Sequence, residues 1–122
     1  MSHSPVREKS FEFALQVVEV YKVLRENREF VLARQLLRSG TSIGANIEEA
    51  IAGQSRRDFL SKMSVALKEA RETRYWLSLL QHARLVDLDL ESQLTKVEEL
   101  IRLLSAIVKT TKGTPRAAAA TR

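Results

Sequence analysis

The chain has 122 residues, 44% of them hydrophobic and 29% charged, with four glycines, two prolines and no cysteine. That length holds a single core, the balance is that of a folded domain, and the scarcity of turn residues argues against an all-β fold. The net charge of +5 invites a polyanionic partner, whereas the lack of cysteine removes disulfides, thiolate metal sites and cysteine nucleophiles.

Residues 1–7 show no apolar periodicity and are expected to be disordered. They also lack the apolar run of a signal peptide. Residues 8–111 are expected to form the folded body. The first predicted helix, 8–26, carries two apolar stripes at three-four spacing. One is Phe11, Ala14, Val18 and Tyr21; the other is Phe13, Val17, Val20 and Leu24. Asn27 either ends this helix or caps the next. The second helix runs from about 28 to 52 on the stripe Leu32, Leu36, Gly40, Ile43, Ile47 and Ala50. Gly40 and Gly44 share a face and let another backbone approach closely. They also cost helix propensity, about 1 kcal/mol each, so a break near Ser39 and Gly40 is the alternative to a continuous helix.

Gly53 reads as a C-terminal stop, and Ser55 with Asp58 as a loose capping box. The third helix then runs to about His82 on Phe59, Met63, Ala66, Ala70, Thr73, Leu77 and Leu80. Asp87 or Asp89 caps the fourth, whose stripe is Leu90, Leu94, Val97, Ile101, Leu104 and Val108. Short connections make neighbouring helices antiparallel. The expected fold is therefore all-α, an up-down-up-down four-helix bundle, followed by a disordered basic tail over 112–122. No segment has the uncharged apolar length of a membrane span, so a cytoplasmic protein is expected.

The first and fourth helices carry more apolar surface than one bundle seam needs. A homo-oligomer would cover it, with Phe13, Val17, Val20, Leu24, Leu100, Leu103 and Ile107 as interface candidates. A wide core stripe is the alternative. A polar ladder (Gln35, Arg38 or Ser39, Ser42, Asn46, Glu49) flanks the seam of the second helix, and Lys62, Val65, Glu69, Glu72 and Trp76 recur in the same way on the third. If the ladders face each other, Arg38 pairs with Glu69 or Glu72 and Asn46 hydrogen-bonds across, fixing helix register. A solvated, salt-bridged face is the competing reading.

Catalytic chemistry finds little support. Gly40 to Gly44 is too short for a phosphate loop and lacks its Lys-Ser/Thr. The Glu-x-x-His repeats of a di-iron bundle are missing, and no cofactor or metal is expected. Ser42 has no histidine base, since His82 closes the far end of its helix. Positive charge collects in residues 22–38 and 56–74, each summing to +3. Arg25, Arg28, Arg34, Arg56 and Arg57 are the nucleic-acid candidates, provided that those segments are neighbours.

The run Arg34-Gln35-Leu36-Leu37-Arg38-Ser39-Gly40-Thr41-Ser42-Ile43-Gly44-Ala45-Asn46-Ile47-Glu48-Glu49-Ala50 resembles the signature of the bacterial 23S rRNA intervening-sequence proteins. Asp58-Phe59-Leu60, Ala66-Leu67-Lys68-Glu69-Ala70, Glu72-Thr73 and Trp76-Leu77 fit the same pattern. The likeness covers roughly residues 10–108. It implies a four-helix bundle assembling into a ring-like pentamer, with no agreed catalytic residues. A more distant relative, the accessory protein of diversity-generating retroelements, binds nucleic acid. Two functions follow as expectations: a non-enzymatic oligomer holding RNA or DNA, or a scaffold for a protein partner.

Overall fold

Helical periodicity becomes four rods in the computed structural model, which describes residues 4–113. They are α1 (Ser4–Glu26), α2 (Phe30–Ile51), α3 (Arg56–Ala83) and α4 (Glu91–Gly113), with no strand among the described residues. Cross-helix contacts join an early residue of one helix to a late residue of its neighbour. Arg7 meets Glu48, Glu49 meets Lys62, and Arg56 meets Thr111. Consecutive helices are therefore antiparallel, as the short connections require.

Helix ends follow local chemistry. Ser55 accepts from the Asp58 backbone N–H at 3.0 Å and caps α3. Asp89 accepts from the Glu91 N–H at 3.0 Å, which settles the choice between the two aspartates. Asn27 closes α1 by donating its Nδ2 to Val23 O, and Arg28 turns the chain at φ 64°. Gly53 does not use a positive φ. Its role is space, because a Cβ there would lie 3.1 Å from Ala50 O and 3.2 Å from Asp58 Cβ.

Two expectations need correction. Residues 4–7 are helical rather than disordered, and Val6 is buried. Val6, Ser10, Phe13, Val17, Val20 and Leu24 form one unbroken three-four stripe, with buried Ser10 hiding its continuity. Ser10 satisfies its hydroxyl on Arg7 O at 3.0 Å, and Pro5 is tolerated in a first turn. At the other end, Lys112 and Gly113 complete α4. Residues 1–3 and 114–122 lie outside the described residues.

The second correction concerns the interface candidates. Phe13, Val17, Val20, Leu24 and Leu100 are core residues of the single chain, none more than 5% exposed. Leu103 and Ile107 are half-buried against that core. The other α1 stripe lies at the edge of that core, with Ala14, Val18 and Tyr21 half-buried and Phe11 66% exposed. What selects the inward stripe is α2. Its helix is continuous through Gly40, and a Cβ on Gly40 would sit 2.8 Å from both Val17 methyl groups. The α1 backbone approaches α2 only because that Cβ is missing. At Gly44 the nearest atom to an added Cβ would be Ser10 Oγ at 3.4 Å, an ordinary contact.

This contrast separates the two glycines. Gly40→Ala gains helix propensity but overpacks against Val17, giving a net loss of about 1–2 kcal/mol. Gly44→Ala should be neutral or stabilising by up to about 1 kcal/mol. Urea denaturation of both variants checks the pair of signs.

Candidate nucleic-acid interface

Electrostatics at the surface is organised by the α2–α3 pairing. Arg38 on α2 donates Nη1 to Glu69 Oε1 at 3.2 Å and Nη2 to Glu72 Oε2. Glu72 also accepts from Trp76 Nε1 at 3.0 Å. Lower on the same seam, Lys62 pairs with Glu49 at 2.8 Å. The expected Arg38 pairing is therefore present, to both glutamates at once. The expected bridge from Asn46 is not: its Nδ2 donates to Ser42 O of its own helix at 2.9 Å, and Ser42 Oγ donates to Arg38 O at 2.6 Å. Helix back-bonding satisfies these short polar chains without a cross-helix partner.

The network shifts its own titrations. Hydrogen bonds from Arg38 and then from Trp76 hold the Glu72 carboxyl below the usual carboxylate range, against an opposing push from burial. The Arg38 guanidinium is raised, first by its hydrogen bond to Glu72. Partly exposed ion pairs contribute up to about 1 kcal/mol each, whereas truncating a buried leucine such as Leu36 costs about 2–5 kcal/mol. The core thus supplies stability, and the network sets register.

The same pairing sorts the charge of α3. Glu69 and Glu72 face α2, as does Lys62. Asp58 lies near Lys62 and raises its pKa through space. No α3 carboxylate is left for the flank toward α4. That flank is marked by Arg56, whose Nη2 donates to Thr111 O of α4 at 2.6 Å. Arg74 lies five turns along on the same side, and Arg57 and Arg71 run beside it, given 3.6 residues per turn. On the adjoining flank of α4, Arg102, Lys109 and Lys112 recur at helical spacing. Among the described residues, none of Arg57, Arg71, Arg74, Arg102, Lys109 and Lys112 makes an ion pair. Glu98 is the carboxylate beside this strip, since Glu99 is taken by Lys9 of α1 at 3.1 Å.

Hairpin sums show the same asymmetry. Residues 4–55 hold seven basic and seven acidic side chains, whereas 56–113 hold eleven basic and eight acidic. The sequence candidates are accordingly divided. Arg25, Arg28 and Arg34 sit at the α1–α2 turn, in the neutral hairpin, with Arg25 5.9 Å above the Tyr21 ring. Arg56 and Arg57 begin α3 at the opposite end of the bundle. Those two groups of candidates do not form one patch on a subunit, because they lie at opposite ends of the bundle, although the segments that carry them meet where Arg38 pairs with Glu69 and Glu72. Arg71, Arg74, Arg102 and Lys109 were not singled out by sequence. Their signal was the three-four spacing of cations on α3 against carboxylates confined to its other side.

A cleft lined by Asn27, Gln81, Arg84, Asp87 and Asp89 among others joins the α1–α2 turn to the α3–α4 loop. It brings a guanidinium to two carboxylates and presents no nucleophile with a base. Among the described residues, no group of three or more His, Asp or Glu is placed to hold a metal ion, and no helix is long and apolar enough to cross a membrane.

A family model described as 23S rRNA-intervening sequence protein matches residues 3–106, the span of all four helices except the end of α4. The chain belongs to that family. It is also similar to a crystal structure from Bacteroides thetaiotaomicron, described as a protein with unknown function from the S23 ribosomal protein family. The two share 50% identity and a TM-score of 0.81, over 86% of this chain and 99% of that one. No curated protein matches. Family membership thus accounts for the bundle, and the chemistry of the surface has to be argued from its residues.

Glu72 gives the site a pH signature. Its folded pKa is depressed, so its contribution is present above the unfolded glutamate value of about 4.3 and is lost as pH falls through the folded value. Wild-type stability should therefore drop between pH 5 and pH 3, and Glu72→Gln should flatten that drop while being less stable at pH 7. Denaturant midpoints across this range measure both effects.

Proposed function

We propose that this protein is a non-enzymatic, cytoplasmic, self-associating bundle that holds nucleic acid through its basic surface. The observation carrying the reading is the strip of six cations along α3 and α4 without ion-pair partners among the described residues. Six such cations gathered along one hairpin favour an external anion, whereas Arg7, Lys9 and Lys62 are taken by Glu48, Glu99 and Glu49. Each phosphate neutralised releases counterions, so affinity falls steeply with salt. In a ring, pentameric as the family resemblance implies, the strip is repeated by the subunit number. Arg25, Arg28 and Arg34 would form a second, smaller cluster at the other end of each subunit.

Self-association is supported by α1. Phe11 and Leu15 are 66% and 54% exposed, beside a groove lined by Ala14, Thr41, Gly44 and Ala45. A second copy of the chain is the occupant we assign to this face. These exposed apolar residues also favour a second reading, a scaffold for another protein in which the cations are merely solvated.

Titration of labelled RNA and DNA at low and high salt decides between the readings. The nucleic-acid reading expects binding at 50 mM salt, a loss of at least tenfold by 200 mM, and retention after deletion of residues 114–122. No binding at low salt favours the scaffold. Phe11→Glu with Leu15→Glu should shift the sedimentation mass toward one subunit.

A further inference from the structure

One exposed aromatic lies beside the basic strip. Tyr75 is 60% exposed and follows Arg71 by one turn and Arg74 by one residue on α3. Its position is nevertheless fixed. The Tyr75 and Trp76 rings meet edge-on, with centroids 5.1 Å apart and planes at 71°. Trp76 is in turn held by its Nε1 bond to Glu72, and Glu72 by Arg38. A chain of contacts from α2 therefore braces a ring that projects into solvent beside Arg71 and Arg74.

A braced aromatic among cations has a specific chemical use. Arginines serve any phosphate backbone, single or double stranded. A ring serves only a base whose face is free, and in a duplex the base faces are stacked on one another. Unstacked strands offer every base as a partner, without a sequence requirement. We propose that the α3–α4 strip takes single-stranded nucleic acid, with Tyr75 as a base-stacking platform and Arg71 and Arg74 on the flanking phosphates. This rests on the nucleic-acid reading above and narrows it to one strand class and one place. Stacking needs no 2′-hydroxyl, so RNA and DNA strands are both ligands. A protein partner would instead use Tyr75 with the neighbouring exposed Leu79 as an apolar contact.

The test uses the full chain and four labelled probes: an unstructured 20-nucleotide RNA, the matching DNA strand, and blunt duplexes of each. Wild type, Tyr75→Ala, Tyr75→Phe and the double variant Arg71→Gln/Arg74→Gln are compared by fluorescence anisotropy. Sedimentation and thermal melts are run on the same samples. Tyr75→Ala should weaken both single strands about tenfold and leave duplex affinity unchanged. Tyr75→Phe should bind as wild type, and the double variant should weaken every probe. Unchanged single-strand binding by Tyr75→Ala overturns the platform, although binding by wild type would leave the broader nucleic-acid reading standing. A changed sedimentation mass for Tyr75→Ala places the ring in a subunit interface and also overturns it. Failure of wild type to bind any probe removes the broader reading itself.

Discussion

Arg38 reaches from α2 to both Glu69 and Glu72 of α3, and much of the surface follows from that fork. Two carboxylates one turn apart match a guanidinium that donates in two directions. The pairing fixes the α2–α3 register at mid-height, and the Glu49–Lys62 pair fixes it again lower down. It also holds the carboxylates of α3 on one flank. The cations on the other flank are left beside α4, without an ion pair among the described residues. A structural ion-pair network and an unneutralised basic strip are thus two sides of one helix.

Beneath this pattern lies the packing that lets the helices approach. Gly40 gives Val17 a seat against the α2 backbone. Ala66, Ala70 and Thr73 give α3 a similarly small inward face. Small residues at these places convert a generic bundle into one with fixed rotation of each rod, since a rotated α1 would drive a larger side chain into α2. Buried Ser39 and Thr73 do not oppose this, because each returns its hydroxyl to its own helix, at Gln35 O and Glu69 O.

The sequence makes the inward faces of α3 and α4 plain, because each has one dominant apolar stripe. It also shows that Arg38, Glu69 and Glu72 share a seam, since both ladders flank their stripes at the same spacing. It does not show which stripe of α1 turns inward. Both stripes have similar apolar content, and the deciding feature is a missing Cβ on another helix. Val6 was hidden in the same way, by a serine in the stripe whose hydroxyl is satisfied locally. The basic strip is blurred in the sequence because Glu99 and the loop aspartates lie in the same stretch of chain as Arg102 and Lys109. In three dimensions Glu99 answers Lys9 of α1, and Asp87 and Asp89 line the cleft at the end of the bundle. Tyr75 carried no signal of exposure until Trp76 was seen to take the inward-leaning position beside it.

The proposed contact with an external polyanion lies on the α3–α4 hairpin rather than at the α1–α2 turn. Amide hydrogen exchange on the intact protein, with and without a saturating single-stranded oligonucleotide at low salt, addresses it most directly. Slowed exchange concentrated in peptides spanning 57–75 and 100–113 is the predicted footprint. Protection centred on 22–34, with 57–75 unchanged, would contradict it.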